Sequence, residues 1–319
     1  MSIVYILIFP GFLFLFAYSL FLEFIDRKAY ARLQNRVGPP IFQPWADFFK
    51  LLSKEELVPE RADRRMFTAL PIIGIAAVLT AFVYIPVWGP SSPFPFIGDI
   101  IVVIYLLSLP TLILFLAGWH STNLFSTVGA VRALTQLFGY EVPFLLALLS
   151  PALITGIWKI SDIVNYQVNH IWFIAYLPLA LIVAVISLVG KLERIPFDIP
   201  EAETEIVGGP LTEYSGKRLA LFRLMINIEM VAGSALIAVL FLGGYSMPGI
   251  ALTGIPAAVA GFFAFVAKTV VIVFVLSCIK ALFARLRIEQ MVTVCLKWLA
   301  PMLIIQLLVV VGLKYAGIL

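Results

Sequence analysis

Long apolar runs separated by short charged segments dominate the chain. A membrane-spanning helix needs about 20 mostly apolar residues, and eight such runs occur. They are residues 3–23, 66–87, 97–118, 137–158, 171–190, 219–242, 258–281 and 292–316. The first run is too long for the apolar core of a signal peptide and has no basic residue before it, so we expect it to be a span. The pattern predicts an all-α membrane protein of about eight transmembrane helices.

Composition agrees with this fold class. Of the 319 residues, 62% are hydrophobic and only 13% are charged, and the mean hydropathy is +1.06. A soluble domain carries about 25% charged residues, so lipid must cover most of this surface. Without a long linker or an internal repeat, we expect one polytopic membrane domain over residues 1–319. The net charge of +4 is too small to indicate nucleic-acid binding.

Basic residues lie mainly in four of the segments between spans, at 24–65, 119–136, 191–218 and 282–291. Seventeen of the 22 Lys and Arg residues fall in or next to these segments, against Lys159 and Lys314 on the opposite face. Cytoplasmic loops carry an excess of Lys and Arg. We therefore expect a multi-pass plasma-membrane protein with these four loops in the cytoplasm and both termini outside.

The first of these loops contains a predicted amphipathic helix. Trp45, Phe48, Phe49 and Leu52 recur at helical spacing, and Asp47, Lys50 and Lys54 take the opposite face. This pattern predicts an interfacial helix with its aromatic face in the bilayer boundary. It is either a simple anchor or a floor beneath a bound partner or lipid-soluble substrate.

The third loop is strongly acidic. Six carboxylates lie within 21 residues: Glu193, Asp198, Glu201, Glu203, Glu205 and Glu213. An acidic solvated loop is the simpler interpretation, but two prolines stiffen this segment. Its apolar residues also predict a folded loop; they are Ile195, Phe197, Ile199, Ile206 and Val207. Packed carboxylates raise one another's pKa, so such a cluster could hold and pass protons.

Three ionisable residues fall within the predicted spans: Glu141, Glu229 and Lys268. Ionisable groups in lipid are costly and by default functional. Glu229 and Lys268 lie at similar depth, so an ion pair between them is one hypothesis, and a purely static role in helix packing is the other. The two cysteines, Cys278 and Cys295, lack the spacing of a cluster or metal site. We expect no metal and no cofactor in this chain.

Four segments carry a resemblance to a known family. They are residues 26–51 (DRK, RVGP, QPWAD, KL), 129–142 (GAVRA to YEV), 194–216 (RIPFDIPEAETE to EYSG) and 285–298 (RLRIEQ to KW). In this order they resemble the complex I subunit 1 family. The resemblance implies a non-catalytic membrane subunit of a multisubunit oxidoreductase, lying beneath an iron–sulfur peripheral arm and beside antiporter-like membrane subunits.

The resemblance also implies site residues. The expected proton or ion path contains Glu141, Asp198, Glu201, Glu203, Glu205 and Glu213, to which the intramembrane Glu229 and Lys268 are added. The family places a carboxylate early in the sixth span, whereas Glu229 comes about one turn later. The expected docking surface for the peripheral arm contains Arg27, Lys28, Arg32, Arg36, Asp47, Arg194, Arg285 and Arg287.

A compact segment at residues 38–44 (GPPIFQP) bears on the partner. It resembles the membrane subunits of energy-converting nickel–iron hydrogenases, so we expect a ferredoxin-linked, hydrogen-evolving complex. Its partners would be an iron–sulfur small subunit and a hydrogenase-like large subunit with a nickel–iron centre. The alternative is the quinone-binding subunit 1 of an NADH-quinone oxidoreductase. A stand-alone ion transporter is a more distant alternative, because such proteins usually show paired repeats.

The basic asymmetry gives a testable topology. Cysteines introduced at Ser53 and Ser215 should resist a membrane-impermeant thiol reagent in intact cells and react after permeabilisation. A cysteine at Lys159 on the opposite face should react in intact cells and serves as the control. Labelling of Ser53→Cys in intact cells would contradict the orientation.

Overall fold

The structure is a computed structural model that describes residues 2–247 and 255–315. These residues form helices and loops, with no strand among them, which confirms the predicted all-α class. The first six helices are α1 Ser2–Leu7, α2 Phe12–Leu33, α3 Gln43–Leu52, α4 Arg64–Val83, α5 Asp99–His120 and α6 Leu124–Thr155. The others are α7 Ile160–Asn169, α8 Phe173–Tyr176, α9 Pro178–Lys191, α10 Glu203–Ile206, α11 Gly216–Leu242, α12 Ile255–Leu282, α13 Ile288–Thr293 and α14 Ala300–Tyr315.

Within the described residues, seven helical segments are long and apolar enough to cross a bilayer. They comprise α1 with α2, then α4, α5, α6, α11, α12, and α13 joined to α14 through the π-helix Val294–Leu299. The predicted fifth span is α9, which is shorter. Its 14 residues rise only about 21 Å, less than the hydrocarbon thickness of about 30 Å. The chain is interrupted at Leu177, before Pro178 begins the helix.

Helix α6 begins well before the predicted start of the fourth span. The sequence predicted a loop at 119–136 and a span from 137, but the helix runs unbroken from Leu124 to Thr155. The Asn123 side chain accepts a hydrogen bond from the backbone N–H of Phe125 (2.9 Å) and so caps the helix. Arg132, Glu141 and Pro143 all lie within this helix and do not interrupt it.

Helix α11 is the centre of the bundle. Residues 227–241 are all buried, and α11 packs against α2, α4, α9 and α12. A Cβ atom added to Gly233 would lie 2.4 Å from Leu188 Cδ1, so the glycine allows α9 to approach closely. Small residues at helix contacts are the usual basis of close packing in membranes. This contact brings the end of α9 to the middle of α11.

The acidic loop between α9 and α11 is folded, as predicted. Phe197, Ile199 and Ile206 are buried, and the backbone N–H of Leu286 donates to the Pro196 carbonyl (2.9 Å). The prediction was wrong for Val207, which has a φ of 65° and a side chain that is 60% exposed. We call the side of the bundle that carries this loop the loop side.

The acidic loop packs closely against α6 where Gly209 of the loop meets Gly129 of the helix. A Cβ atom on Gly129 would lie 2.6 Å from the Cα of Gly209. Gly209 itself has a φ of +52°, a conformation in which glycine avoids the strain of other residues. The carboxylates of the loop are therefore held at defined positions on the bundle.

The predicted amphipathic helix is α3, with Pro44 in its first turn. Phe48 contacts Phe16 of α2, with ring centroids 5.2 Å apart, whereas Phe49 is 57% exposed. The aromatic face thus divides between the bundle and the surroundings.

Candidate functional site

A cavity of about 340 Å³ opens beneath the acidic loop, between the loop-side parts of α2, α9, α11 and α12. Eleven of its fifteen lining residues are charged, and we call it the charged cavity. The carboxylates are Glu23, Asp26, Glu193, Asp198, Glu201 and Glu229, and the bases are Arg27, Lys191, Arg194, Lys280 and Arg285. Buried charges of both signs require mutual pairing or water, so the lining is suited to ions and protons.

The most enclosed pair is formed by Lys191 and Glu229. Lys191 Nζ lies 3.2 Å from Glu229 Oε1, and the two side chains are only 1% and 2% exposed. The ammonium also lies 5.7 Å from the ring centroid of Tyr140 and 5.8 Å from that of Phe144. Burial of an ion pair costs desolvation that only good partners repay. Removal of either partner would leave the other charge buried and unpaired.

Glu229 and Lys268 do not form the ion pair that the sequence suggested as one hypothesis. The Lys268 ammonium donates to the carbonyls of Gly244 (2.9 Å) and Ser246 (2.6 Å), and it lies 4.3 Å above the Trp172 ring. These partners are beyond the far end of α11, away from the charged cavity. Similar depth in two spans does not bring Glu229 and Lys268 together. Glu229 pairs instead with Lys191, at the end of α9.

Helix α2 contributes two acids to the cavity wall. Asp26 pairs with Arg194 (2.6 Å) and accepts a hydrogen bond from Ser277 Oγ (2.7 Å). Glu23 pairs with Arg27 and accepts from Asn227 Nδ2 (2.6 Å). This acid–base wall joins α2 to α11, to α12 and to the acidic loop.

Arg27 links the cavity wall to the amphipathic helix α3. Its guanidinium donates to Asp47 Oδ2 (2.7 Å), and Gln43 Nε2 donates to the other carboxylate oxygen of Asp47 (2.8 Å). Burial alone would raise the pKa of Asp47, but these hydrogen bonds and the charge of Arg27 outweigh it and lower the pKa below its ordinary value. Asp47 is therefore held in its charged form.

Glu193 occupies the start of the acidic loop in a left-handed conformation (φ 50°). It is 8% exposed, and its Oε1 atom has no hydrogen-bond partner among the described residues. Burial raises the pKa of Glu193 well above its ordinary value, and the negative charges of Glu201, Glu229 and Asp198 add to the effect. This carboxyl therefore takes up a proton more readily than an ordinary glutamate.

The other acids of the loop are divided between two places. Asp198 pairs with Arg285 (2.5 Å), and both line the charged cavity with Glu201. Glu205 lies outside it, with a side chain that is 62% exposed and paired with Arg132 (2.7 Å). Glu213 accepts a hydrogen bond from Asn123 Nδ2. The side chain of Glu203 is outside the described part of the structure.

Glu141 is joined to the cavity floor through the neighbouring helix turn. Its carboxylate accepts a hydrogen bond from Ser108 Oγ of α5, and its other oxygen is buried without a hydrogen-bond partner among the described residues. The adjacent Tyr140 hydroxyl shares a hydrogen bond with Thr111 Oγ1 (2.8 Å). Because the Tyr140 ring also contacts Lys191, polar groups extend from the buried pair towards Glu141.

The expected docking residues are also divided. Arg27, Arg194 and Arg285 line the charged cavity and pair with acids of this chain. Lys28 donates to the Pro39 carbonyl (3.4 Å). Among the expected docking residues, Arg32, Arg36 and Arg287 are exposed on the loop side, and Arg285 is exposed there as well as paired with Asp198.

Sequence reasoning missed four cavity residues as site residues: Glu23, Asp26, Lys191 and Lys280. It placed Glu193 in the acidic cluster but not in the expected path. The signal that could have found two of the four is the group Glu23, Asp26 and Arg27 at helical spacing at the end of the first apolar run. Lys191 was counted only as a loop charge. In the described ranges, no group of three His, Cys, Asp or Glu residues could hold a metal ion.

These features define a class of protein, a polytopic α-helical membrane protein with a charged cavity beneath a folded acidic loop. The family model described as NADH dehydrogenase matches residues 4–311. The chain belongs to this family, that of complex I subunit 1, and is a membrane subunit of a complex I-like oxidoreductase. The resemblance inferred from the sequence is thereby confirmed.

Three relatives, all of them subunits of NADH-quinone oxidoreductases, are similar over most of the chain. The relative from Carboxydothermus hydrogenoformans is 36% identical over 284 residues, 87% of this chain and 79% of that protein. The relative from Thermus thermophilus is 40% identical over 241 residues, 72% and 66% of the two chains. The relative from Geobacillus sp. (strain WCH70) is 37% identical over 292 residues, 88% and 86%. These names support the quinone alternative better than the hydrogenase, which stays a prediction.

The buried pair gives a double-mutant prediction. Lys191→Met or Glu229→Met alone should destabilise the assembled subunit by about 3–5 kcal/mol, because each leaves one buried charge unpaired. The double variant should recover most of the loss, since it removes both charges. Thermal dissociation of the purified complex measures this.

The control is the exposed pair of Lys159 and Asp162, 3.4 Å apart with side chains 28% and 50% exposed. Exposed pairs contribute about 0–1 kcal/mol, so Lys159→Met should change little. Equal losses in the single and double variants of the buried pair would show that its charges are not coupled.

Proposed function

We propose that this chain couples redox chemistry in a bound peripheral arm to ion translocation across the membrane. The observation that carries the proposal is the enclosed pair of Lys191 and Glu229 at the floor of a cavity roofed by an acidic loop. A carboxylate held by one ammonium in a low-dielectric site responds strongly to nearby charge. In this proposal the chain contributes the carboxylates that bind and release protons, and its partner subunits carry out the electron transfer.

A charge change in the arm is large enough to move protons in such a cavity. A unit charge about 10 Å away, at an effective dielectric constant of about 20, contributes about 1.7 kcal/mol. That corresponds to more than one pKa unit. Reduction of a partner cofactor above the loop would therefore favour proton uptake by the carboxylates beneath it.

The proposed path begins at the acidic loop, with Asp198, Glu201, Glu203, Glu205 and Glu213. It continues through the protonatable Glu193 to Glu229 and then to Glu141. The hydroxyls of Tyr140 and Thr111 flank the last step. Lys268 is left out of the path, because its ammonium is engaged with backbone carbonyls at the far end of α11.

The exposed arginines on the loop side suit contact with the peripheral arm. Arg32, Arg36 and Arg287 are exposed to the surroundings. Arg27, Arg194 and the partly exposed Arg285 line the charged cavity and pair with its acids. We assign the first three to docking and the second three to the electrostatics of the cavity. Rim charges chiefly affect association and specificity.

Glu141→Gln tests the coupling. The amide keeps the shape of the side chain and much of its hydrogen-bonding capacity, so the complex should assemble normally. Because the titratable proton is lost, ion pumping and most coupled turnover should be abolished, while partner redox activity with artificial carriers should persist. Pumping is measured in proteoliposomes.

Glu60→Gln, at an exposed glutamate of the first loop, is the matched control and should pump normally. Wild-type pumping by Glu141→Gln would make Glu141 a bystander. Failure of the variant to assemble would make it structural.

For the electron acceptor, we infer a quinone from the names of the relatives, which are those of quinone oxidoreductases. One observation favours a second candidate. The compact segment at residues 38–44 resembles the membrane subunits of energy-converting nickel–iron hydrogenases, whose partners carry a nickel–iron centre.

The purified complex distinguishes these candidates. We expect turnover that depends on added quinone and no stoichiometric nickel by metal analysis. Nickel in the complex together with hydrogen evolution would replace the quinone assignment by the hydrogenase, and it would leave the coupling role of the charged cavity unchanged.

A further inference from the structure

Two buried glutamines from neighbouring helices contact the two ends of α9. Gln306 of α14 lies at the start of the helix, and Gln136 of α6 lies at its end; both side chains are buried. Each amide bonds to backbone groups of α9 or of the turn before it. A glutamine amide carries both donors and an acceptor, so it can replace hydrogen bonds that an interrupted backbone lacks.

The break before α9 leaves backbone groups that the helix cannot satisfy by itself. Pro178 begins the helix without an N–H, and the N–H of Ala180 belongs to the first turn, which has no intrahelical acceptor. Gln306 Oε1 accepts a hydrogen bond from this N–H (2.9 Å), and Gln306 Nε2 donates to the carbonyl of Tyr176, the last residue of α8 (3.4 Å). One side chain of α14 thus joins both sides of the break.

The opposite end of α9 is held by α6. Gln136 Nε2 donates to the carbonyl of Gly190 (2.7 Å), which also accepts from the backbone N–H of Glu193 (3.2 Å). A Cβ atom on Gly190 would lie 3.4 Å from Tyr140 Cβ, so the backbone of α9 packs directly on α6 here. Gly190 is followed by Lys191, the last residue of the helix. The bond from Gln136 therefore fixes the backbone one residue before the buried lysine.

The buried ion pair leaves little tolerance for movement of α9 along its axis. Lys191 Nζ and Glu229 Oε1 are 3.2 Å apart, and both side chains are almost fully enclosed. A slide of α9 by one residue rise is about 1.5 Å, a large fraction of that separation. Side chains in a packed interior cannot follow such a shift without repacking their neighbours. The depth of Lys191 therefore depends on what holds the two ends of its helix.

We propose that Gln136 and Gln306 are positioning residues that clamp α9 at its two ends and so hold Lys191 at the depth of Glu229. Gln306 determines where the helix begins, and Gln136 holds the turn in which it ends. This inference deepens the proposed function, and it rests on that function only in that the positioned pair belongs to the proposed ion path. The clamp itself is testable without a measurement of ion movement.

The decisive experiment compares Gln306→Met in two backgrounds of the purified complex, the wild type and the double variant Lys191→Met with Glu229→Met. Methionine is unbranched like glutamine but can form neither backbone bond. In the wild type, the midpoint of thermal dissociation should fall, because both the backbone bonds and the ion pair are weakened. In the double variant, which has no pair to position, the fall should be less than half as large.

A purely local role predicts the opposite result. Effects of sites that do not interact are additive, so equal falls in the two backgrounds would overturn the proposal. Should the double variant fail to assemble, Lys191→Met alone provides a second background without the pair. Gln136→Met is measured in the same way and should show the same difference between backgrounds.

Gln167→Met is the matched control. Gln167 is 1% exposed, donates to the Val239 carbonyl of α11 (3.0 Å) and accepts from the Phe173 N–H of α8 (3.5 Å). It has the same chemistry as the clamp residues, but its bonds are not made to α9. Its loss should lower the midpoint equally in both backgrounds, and an unequal fall would contradict the assignment of the coupling to the clamp.

Pumping in proteoliposomes separates this inference from the proposed function. Gln136→Met and Gln306→Met should lower the number of ions moved per redox turnover, whereas Gln167→Met should leave this ratio unchanged. Unequal thermal shifts together with a normal ratio would support the clamp and reject the place of the pair in the ion path. Equal thermal shifts together with a lowered ratio would reject the clamp and retain the proposed function.

Discussion

The ion pair between Lys191 and Glu229 is the constraint on which the site depends. Both side chains are almost completely enclosed, so neither charge is stable there without the other. Lys191 is the last residue of α9, so the pair requires this helix to end at the depth of the middle of α11. A length of only 14 residues agrees with that requirement. The chain then leaves the helix inside the bundle. Non-helical backbone at that depth is tolerated when it is buried in protein or lines a wet cavity, and here the charged cavity fulfils that condition.

The walls of the charged cavity carry nearly equal numbers of acids and bases, linked into pairs that connect four helices with the acidic loop. Asp26 with Arg194 and Asp198 with Arg285 both bring loop residues to partners on other elements. In a low-dielectric site such pairs are strong, but they depend on every member remaining charged. Protonation of Glu229 would therefore leave Lys191 without its charged partner. This arrangement is suited to coupling charge movement with structure.

Much of the fold could be predicted because lipid imposes a simple rule. Runs of about 20 apolar residues become spans, and the predicted runs correspond to the helices of the structure, with α9 as the short member. Errors came from charge within helices. Arg132 lies in a part of α6 that was predicted to be a loop, but the cap at Asn123 begins the helix 13 residues before the predicted start. Val207 was expected inside because of its apolar side chain, but its backbone conformation turns it outward.

The sequence by itself determined the membrane class, the family and the acidic loop, because these depend on composition and on residues close together in the chain. Only the tertiary structure decided which charges meet. Glu229 pairs with Lys191, 38 positions earlier in the chain, because Gly233 lets α9 approach α11. Glu23 and Asp26 join the cavity because α2 packs beside α11 and α12. Pairing of this kind depends on where helices end and how closely they approach, and no local pattern of residues records either quantity.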